Sequence, residues 1–505
     1  MPIRSRGTGE TAKKKRGFLA RLARDNQGNV LAIMAAALVP LAGMVGSGLD
    51  IGRAYMTKAK LQTACDAAAL AARRNMANLN LNQASIDEGT RFFNFNFPAG
   101  TMDTLPVDLD ITASAADASV VQVSASTEMP TTIMRMFGQT SIALSVQCSA
   151  DKDYVHNDIM LVLDVTGSMN CRAGGTGTFC ATEQTGSRLS RLRLAAAALY
   201  RALEDAEGVR TRYGFMPYSM TVNVGRDVRA ENAAWIRSPA TYHVRNCNSY
   251  GCSWGTTSLT RSTDWFNNTW SGCLEERSTV SQNHQSNIRI SSDVAQADID
   301  SVSTTDDRLK WQPYDEDTTT GESDGTHATL ARFCPTPALR LAEYESEDDF
   351  QDQVDASLAR VGGYTNHDLG MMWGMRYLSS TGMFSADNPT EIDDIRVDKH
   401  IIFLTDGDMT ASSSNYSAYG IPNASNRMTG SGNLETKHRN RFFNACNRAR
   451  QMGMTVWVIA IDIRTPQDVE PCASGDDRFF VSDGSDLEEV FQLIGRGIGR
   501  LRLTN

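Results

Sequence analysis

Residues 30–49 read VLAIMAAALVPLAGMVGSGL, twenty positions without a charge. About twenty apolar residues at 1.5 Å each match a hydrocarbon core of ~30 Å, so the run predicts a membrane-spanning helix. Pro40 predicts a kink rather than a break, because neighbouring groups re-satisfy the freed backbone. Residues 51–77 stay Ala-rich with no Gly or Pro after Gly52, which carries the helix outward. Three stretches then alternate or carry β-branched residues: VDLDITAS (107–114), SVVQVSASTEM (119–129) and SIALSVQCSA (141–150). They predict the strands of a small β unit beside the anchor.

From Asn157 the pattern changes. DIMLVLDV (158–165), KHIIFLTD (399–406) and MTVWVIAIDI (454–463) are fully apolar, and a further strand region covers 212–225. Helical patterns lie at 187–206, 350–361, 367–380, 435–453 and 485–502. Apolar strands alternating with helices predict an α/β fold with a mostly parallel sheet, whose ligands bind at the carboxyl ends of the strands. A stretch from about 226 to 346 interrupts the alternation, with four cysteines and no sustained period. A structureless loop of ~120 residues has no place in a compact domain, so this reads as a cysteine-stapled insertion. Its Trp254, Trp265, Trp270 and Trp311 suit a small core ahead of a recognition surface.

Length and charge sharpen the picture. At roughly 100–200 residues per domain, 505 residues allow two to four domains. The net charge of −10 is an average over two unlike parts. Eight basic and two acidic side chains leave residues 1–27 at +6, and the rest of the chain at −16. An acidic body argues against nucleic acid as a partner. The positive-inside rule puts residues 1–28 in the cytoplasm and everything after Asp50 outside. The chain thus reads as a single-pass protein of a bacterial inner membrane, its bulk periplasmic or surface-exposed. The apolar run exceeds the 7–15 residues of a signal peptide and lacks an A-x-A site, which favours an uncleaved anchor. All ten cysteines follow the span, an even number that fits disulfides in an oxidising compartment. Cys247-x4-Cys252 has zinc-like spacing, but no second close pair accompanies it.

The candidate chemistry lies at strand ends. Asp164-Val165-Thr166-Gly167-Ser168 offers one carboxylate and two hydroxyls at alternate positions, and Leu404-Thr405-Asp406-Gly407 offers a second carboxylate. Between them in sequence, Gly362-Gly363-Tyr364-Thr365-Asn366 places a hydroxyl just before a helix. Such oxygens suit a hard cation, Mg²⁺ first and Mn²⁺ or Ca²⁺ next. Neutral hydroxyls leave the ion electron-poor, so a partner's Asp or Glu would complete its shell. The same strand end also carries Asp406-Gly407-Asp408-Met409-Thr410. This D-x-D-x-T resembles the nucleophile loop of haloacid-dehalogenase-like, Mg²⁺-dependent phosphotransferases, with Asp406 as nucleophile and Asp408 as general acid/base. It comes late, with 95 residues left, and leaves DVTGS and GGYTN unexplained. A G-x-S-x-G at 321–325 follows no apolar strand, and the seven histidines form no pair at helical spacing. His367 stands close enough to Thr365 to approach the same site. No Walker loop or dinucleotide fingerprint is present.

D-x-T-x-S, a distant Thr and an Asp after a later strand together resemble the metal-ion-dependent adhesion site of a von Willebrand factor A domain. The resemblance covers about 157–503 without the insertion and implies a Rossmann-like α/β domain. It implies hydroxyl ligands from Thr166, Ser168 and Thr365, and Asp164 and Asp406 acting directly or through water. Thr166 stands where that family has Ser, keeping the hydroxyl and adding a methyl. Independently, residues 28–72, with LQTACDAAALAA inside them, resemble the start of TadG-like proteins of Flp/Tad pilus assembly. Cys65 replaces the Ala usual there, which implies a disulfide with Cys148. Ile33 stands where a prepilin would carry Glu, so processing as a pilin is not expected. The expected organisation is a tail (1–28), a span (29–50), a helix with a β unit (51–150) and an α/β domain (151–505). The expected function is non-enzymatic, cation-dependent protein binding in Flp/Tad pilus assembly or surface attachment. A scaffold that has lost its metal is the remaining alternative.

Overall fold

The computed structural model describes residues 28–76, 81–114, 120–151, 155–175, 177–204, 209–318, 332–393, 395–463 and 465–499. The basic tail and the G-x-S-x-G at 321–325 lie outside the described residues. Two compact units divide at about residue 153.

In the first unit a single helix, α1 (Gly28–Arg74), is long and apolar enough to cross a membrane and continues past the apolar run, with Pro40 inside it. Its apolar half is uncovered by protein: Ile33, Leu38, Met44 and Val45 are all exposed. Its second half presents Leu61, Ala64, Cys65, Ala68 and Ala72 as one buried stripe at helical spacing. That stripe packs on an antiparallel sheet of β1 (Asp108–Ala113), β2 (Val120–Pro130) and β3 (Ser141–Asp151). The inward residues alternate, Val121, Val123 and Ala125 on β2 with Leu144 and Val146 on β3. A second helix, α2 (Gln83–Asn96), starts at Asn82, whose side chain accepts the Ser85 N–H at 2.9 Å. It crosses α1 at Gly89, where a Cβ would stand 2.9 Å from that of Ala72. The Cys65–Cys148 disulfide joins α1 to β3, the pairing expected from the departure at Cys65 from the TadG-like pattern.

The second unit is built on a seven-stranded sheet. Five strands run parallel in the order β5 (Thr211–Tyr218), β4 (His156–Asp164), β12 (Ile395–Thr405), β13 (Met454–Ile461) and β14 (Phe479–Ser482). Antiparallel β10 (Leu339–Ala342) extends the β5 edge, and β11 (Glu391–Ile392) pairs with the start of β12. Alternate strand residues feed two cores. Ile159, Leu161, Leu163, Ile402 and Leu404 face α3 (Arg188–Glu204), α4 (Glu347–Ser357) and α7 (Leu487–Ile498). Met160, Val162, Ile401 and Phe403 face α5 (His367–Leu378) and α6 (Leu434–Gln451).

The insertion shares this second core and adds a small cluster of its own, in which Cys273, Tyr314 and Cys334 pack with Tyr416 and Ile421. Its Ile236, Trp270, Ile290 and Trp311 are buried in the same cluster as Met160 and Trp373. It contains a hairpin, β6 (Ala240–Asn248) and β7 (Gly251–Leu259), and a two-residue ladder, β8 (Leu274–Glu275) with β9 (Gln312–Pro313). Cys247 and Cys252 close the hairpin as a disulfide and offer zinc no thiolate. Of the four tryptophans, Trp270 and Trp311 are core, while Trp254 and Trp265 are half-buried. Strands β10 and β14 escape sequence patterning because each has four residues, mostly half-buried.

Buried His400 on β12 links this packing to pH. The Trp457 indole N–H donates to its Nδ1 at 3.4 Å. Burial first, and Arg478 second, pull its pKa down from 6.5 to about 4. The unfolded chain takes up that proton near 6.5 and the folded one only near 4, so stability falls as pH drops through this window. At ~1.4 kcal/mol per unit the loss is about 3 kcal/mol. Denaturation of the detergent-solubilised chain at pH 7 and 4.5 checks this. The native chain should lose more stability than His400→Gln, and equal losses refute the assignment.

Candidate metal centre

The sheet reverses its order between β4 and β12. From β4 the chain moves through α3 to β5 on one side, and from β12 through α6 to β13 on the other. The crevice at the carboxyl ends of such a strand pair is where open α/β sheets bind ligands. Here β4 ends in Asp164 and β12 in Thr405, followed by Asp406. A cleft of about 400 Å³ opens there, lined among others by Thr166, Ser168, Thr365, Asp406, Arg188 and Phe179.

Asp164 lies beneath the cleft, fully buried. Its Oδ1 accepts the Thr166 N–H at 2.9 Å and its Oδ2 accepts the Thr405 hydroxyl at 2.7 Å. His367, the first residue of α5, sits one step behind, with Nε2 3.0 Å from Thr405 Oγ1. Because that hydroxyl donates to Asp164, the His367 Nε2 carries a proton and donates in turn. Burial pulls the His367 pKa down to about 3, so the ring is neutral. Above Asp164 the Ser168 hydroxyl donates to Asp406 Oδ1 at 2.8 Å and stands 2.9 Å from Thr166 Oγ1. With the Ser168 proton so committed, Thr166 donates to Ser168. Thr365 lines the same cleft: a Cβ on Gly407 would lie 3.9 Å from both its hydroxyl and that of Ser168. The loop carrying Thr365 is tied to the Asp406 loop twice, through Thr365 N–H to Thr410 Oγ1 and Thr410 N–H to Thr365 O, both 3.1 Å. Asp408 accepts the Thr465 hydroxyl. Asp408 and Thr410, central to the phosphotransferase motif, are thus engaged in holding loops.

Sequence reasoning missed the charge that balances this arrangement. Arg188, buried at the start of α3, reaches Asp406 Oδ2 with Nη1 at 3.1 Å and Asp462 Oδ2 with Nε at 2.9 Å. Asp462 follows β13 with φ +54° and also accepts the Gly174 N–H at 2.7 Å. A cation in the first turn opposes the helix dipole, and that was the one sequence signal that Arg188 answers a local negative charge. The loop after Ser168 was also missed. The Cys171–Cys180 disulfide folds it back so that the Phe179 ring covers Gly167, where a Cβ would come within 2.4 Å.

Oxygen chemistry fits a hard cation here. Among the described residues no three His, Cys, Asp or Glu side chains gather to hold a metal. What converges instead is two carboxylates with the hydroxyls of Thr166, Ser168 and Thr365. Burial raises the Asp164 pKa, and burial, then Asp164, raises that of Asp406 to about 7. Two carboxylates that resist ionising together are relieved by a positive charge between or beside them. Arg188 supplies part of it.

Comparison with known families places the start of the chain. Residues 28–75 match the family described as Tad, putative Flp pilus-assembly TadE/G-like. The anchor segment is TadE/G-like. A search of curated proteins finds no match for the chain. Among solved structures, similarity extends to the pilus adhesin SpaC of Lactobacillus rhamnosus GG, at 11% identity and TM-score 0.34, over 78% of this chain and 34% of that one. It extends to proximal thread matrix protein 1 of the mussel byssus, at 10% identity and TM-score 0.30, over 68% and 48%. It extends also to the vWF domain of the type V pilus tip protein Mfa5 of Porphyromonas gingivalis, at 11% identity and TM-score 0.31, over 70% and 99%. The chain spans less than half of the first two. Each is a partial likeness at low identity.

Arg188 is a test of the electrostatics. Its side chain and that of Asp406 are almost wholly buried, so Arg188→Met leaves Asp406 and Asp462 without the cation they share. The expected cost is roughly 3–5 kcal/mol. Denaturant titration at neutral pH reads it, and a loss below about 1 kcal/mol, the scale of an exposed pair, would show that the pair is not a buried one.

Proposed function

We propose that this protein is a membrane-anchored binding protein of Flp/Tad pilus assembly or surface attachment, whose vWA-like unit grips a protein partner through a divalent cation. The carrying observation is the convergence of Thr166, Ser168, Thr365 and Asp406 on one cleft at the sheet's switch point. Asp164 orients the first loop from below through the Thr166 N–H, and Thr410 holds the Thr365 loop in register. Each hydroxyl proton in the Thr166–Ser168–Asp406 chain is directed toward the carboxylate, which leaves oxygen lone pairs for a cation. Bound there, Mg²⁺, or Mn²⁺ or Ca²⁺, would supply a positive coordination point for an Asp or Glu of the partner. The order is basic tail, span, β unit and binding domain, with the tail in the cytoplasm by its positive charge. Five disulfides account for all ten cysteines, which supports an oxidising compartment for everything after the span.

A second reading, a metal-independent scaffold, draws on Arg188, which already neutralises part of the site. Calorimetry separates the two. Under the first reading the purified chain binds Mg²⁺ or Mn²⁺, and Ser168→Ala or Asp164→Ala weakens binding by about tenfold or more. No heat of binding, with partner capture indifferent to chelator, would favour the scaffold. Orientation has its own check. Protease added to intact spheroplasts should digest the body while sparing an amino-terminal epitope, and loss of that epitope would reverse the topology.

A further inference from the structure

Asp50 closes the apolar run in sequence, yet in the fold it is fully buried. Its carboxylate accepts three backbone N–H groups from the β2–β3 connection: Thr132 at 2.9 Å, Ile133 at 2.9 Å and Met134 at 2.8 Å. This clamp draws residues 133–137, IMRMF, back along α1 toward its amino end. Gly46 makes room for Ile133, since a Cβ there would fall 2.2 Å from the isoleucine Cγ2. Further along, a Cβ on Gly43 would lie 3.4 Å from the Phe137 ring. Gly43 precedes Asp50 by seven residues, about 10 Å of helix rise. Phe137 therefore lies alongside the run that spans the membrane.

Two more observations point the same way. Met136 is 83% exposed and Phe137 50%, and Phe137 lies beside Gly43 in the apolar run of α1. Singly exposed apolar residues are ordinary, but this pair adjoins the apolar run itself. Much of the turn's backbone N–H is also paired within the protein. Beyond the three N–H groups held by Asp50, Met136 N–H bonds Ile133 O, Gly138 N–H bonds Arg135 O and Gln139 N–H bonds Met134 O. Paired N–H groups lower the cost of seating such a turn beside an apolar helix, where an unpaired group would be expensive. Arg135, exposed on the same turn, has the length to carry its charge to the headgroups.

We propose that residues 133–137 form a second membrane-contacting element, seated against α1 in the leaflet nearest the β unit. The occupant of this apolar face is phospholipid. The inference rests on the reading of α1 as a span. It makes the anchor bipartite: a helix that crosses and a turn that dips in beside it, locked together by Asp50.

The test uses the full chain in vesicles of phosphatidylethanolamine and phosphatidylglycerol. A benzophenone amino acid replaces Met136, Met44 in the span, or Thr112 on the exposed face of β1, and adducts are identified by mass spectrometry. Lipid adducts at 136 and 44, with none at 112, are expected. Lipid at 44 but only protein adducts or none at 136 would overturn the proposal while leaving the span intact. No lipid at 44 would overturn both. A measurement on the native chain guards against a misfolded variant. Aqueous peroxide should oxidise Met136 in vesicles about tenfold more slowly than part-buried Met102, although Met136 is the more exposed in the protein alone. Equal or faster oxidation of Met136 would also overturn the proposal.

Discussion

Asp164 and Asp406 stand at the neighbouring ends of two parallel strands with almost no water to solvate them, and much of the second unit is arranged around that constraint. An ionised carboxylate removed from water is costly unless dipoles or charges replace the solvent. Asp164 is answered by one N–H and one hydroxyl, and that hydroxyl is in turn held by neutral His367. Asp406 is answered by Ser168 and by Arg188. Arg188 must then be positioned, and Asp462 does so from the end of β13 in a left-handed conformation. Strands, loop geometry and the first turn of α3 are thus linked through one chain of charges.

The insertion serves the same site from outside. Its Phe333, next to the Cys273–Cys334 disulfide, presses on the glycine loop that carries Thr365. A Cβ on Gly362 would lie 2.9 Å from that ring, and one on Gly363 3.3 Å from the Phe333 Cβ. The Thr221 hydroxyl fastens Phe333 O to the end of β5. Deeper in, the wholly buried Arg376–Glu276 pair, 2.8 Å apart, joins α5 to the insertion. Because α5 begins at His367, anchoring that helix also fixes the neighbouring Thr365. The insertion therefore buttresses one of the three loops, in addition to whatever it presents to solvent.

How much of this was legible in sequence depended on the range of the interaction. Apolar runs at 158–165, 399–406 and 454–463 announced central strands because strands buried on both faces tolerate no polar interruption. The three loop motifs were legible because each sits immediately after its strand or before its helix. The partners of Arg188 were not, since Asp406 and Asp462 lie far away in sequence and only the strand order brings them together. The flap at 171–180 was invisible for a related reason: ten cysteines permit many pairings, and spacing alone does not choose among them. The insertion looked patternless because its short segments borrow most of their core from α5 and the sheet and add only a small cluster around the Cys273–Cys334 disulfide. In the first unit, the Ala-rich stripe and alternating strands were readable, whereas the reach of the 133–137 turn depended on a carboxylate more than eighty residues away.

Asp50 and the Asp164–Asp406 pair show two solutions to one problem. Asp50 is buried alone and receives three backbone N–H groups, which together replace the hydrogen bonds of water without any counter-charge. Such a carboxylate is a structural clamp and leaves nothing for a ligand to add. In the second unit two carboxylates share four donors, two of them the hydroxyls of Thr405 and Ser168, and the Arg188 guanidinium is itself divided between Asp406 and Asp462. Donor-rich burial closes a site; donor-poor burial with free oxygen lone pairs leaves one that a cation improves. By that criterion the clamp lies at Asp50 and the open oxygen chemistry lies at the switch point, which is why the proposed cation is placed at the second and not at the first.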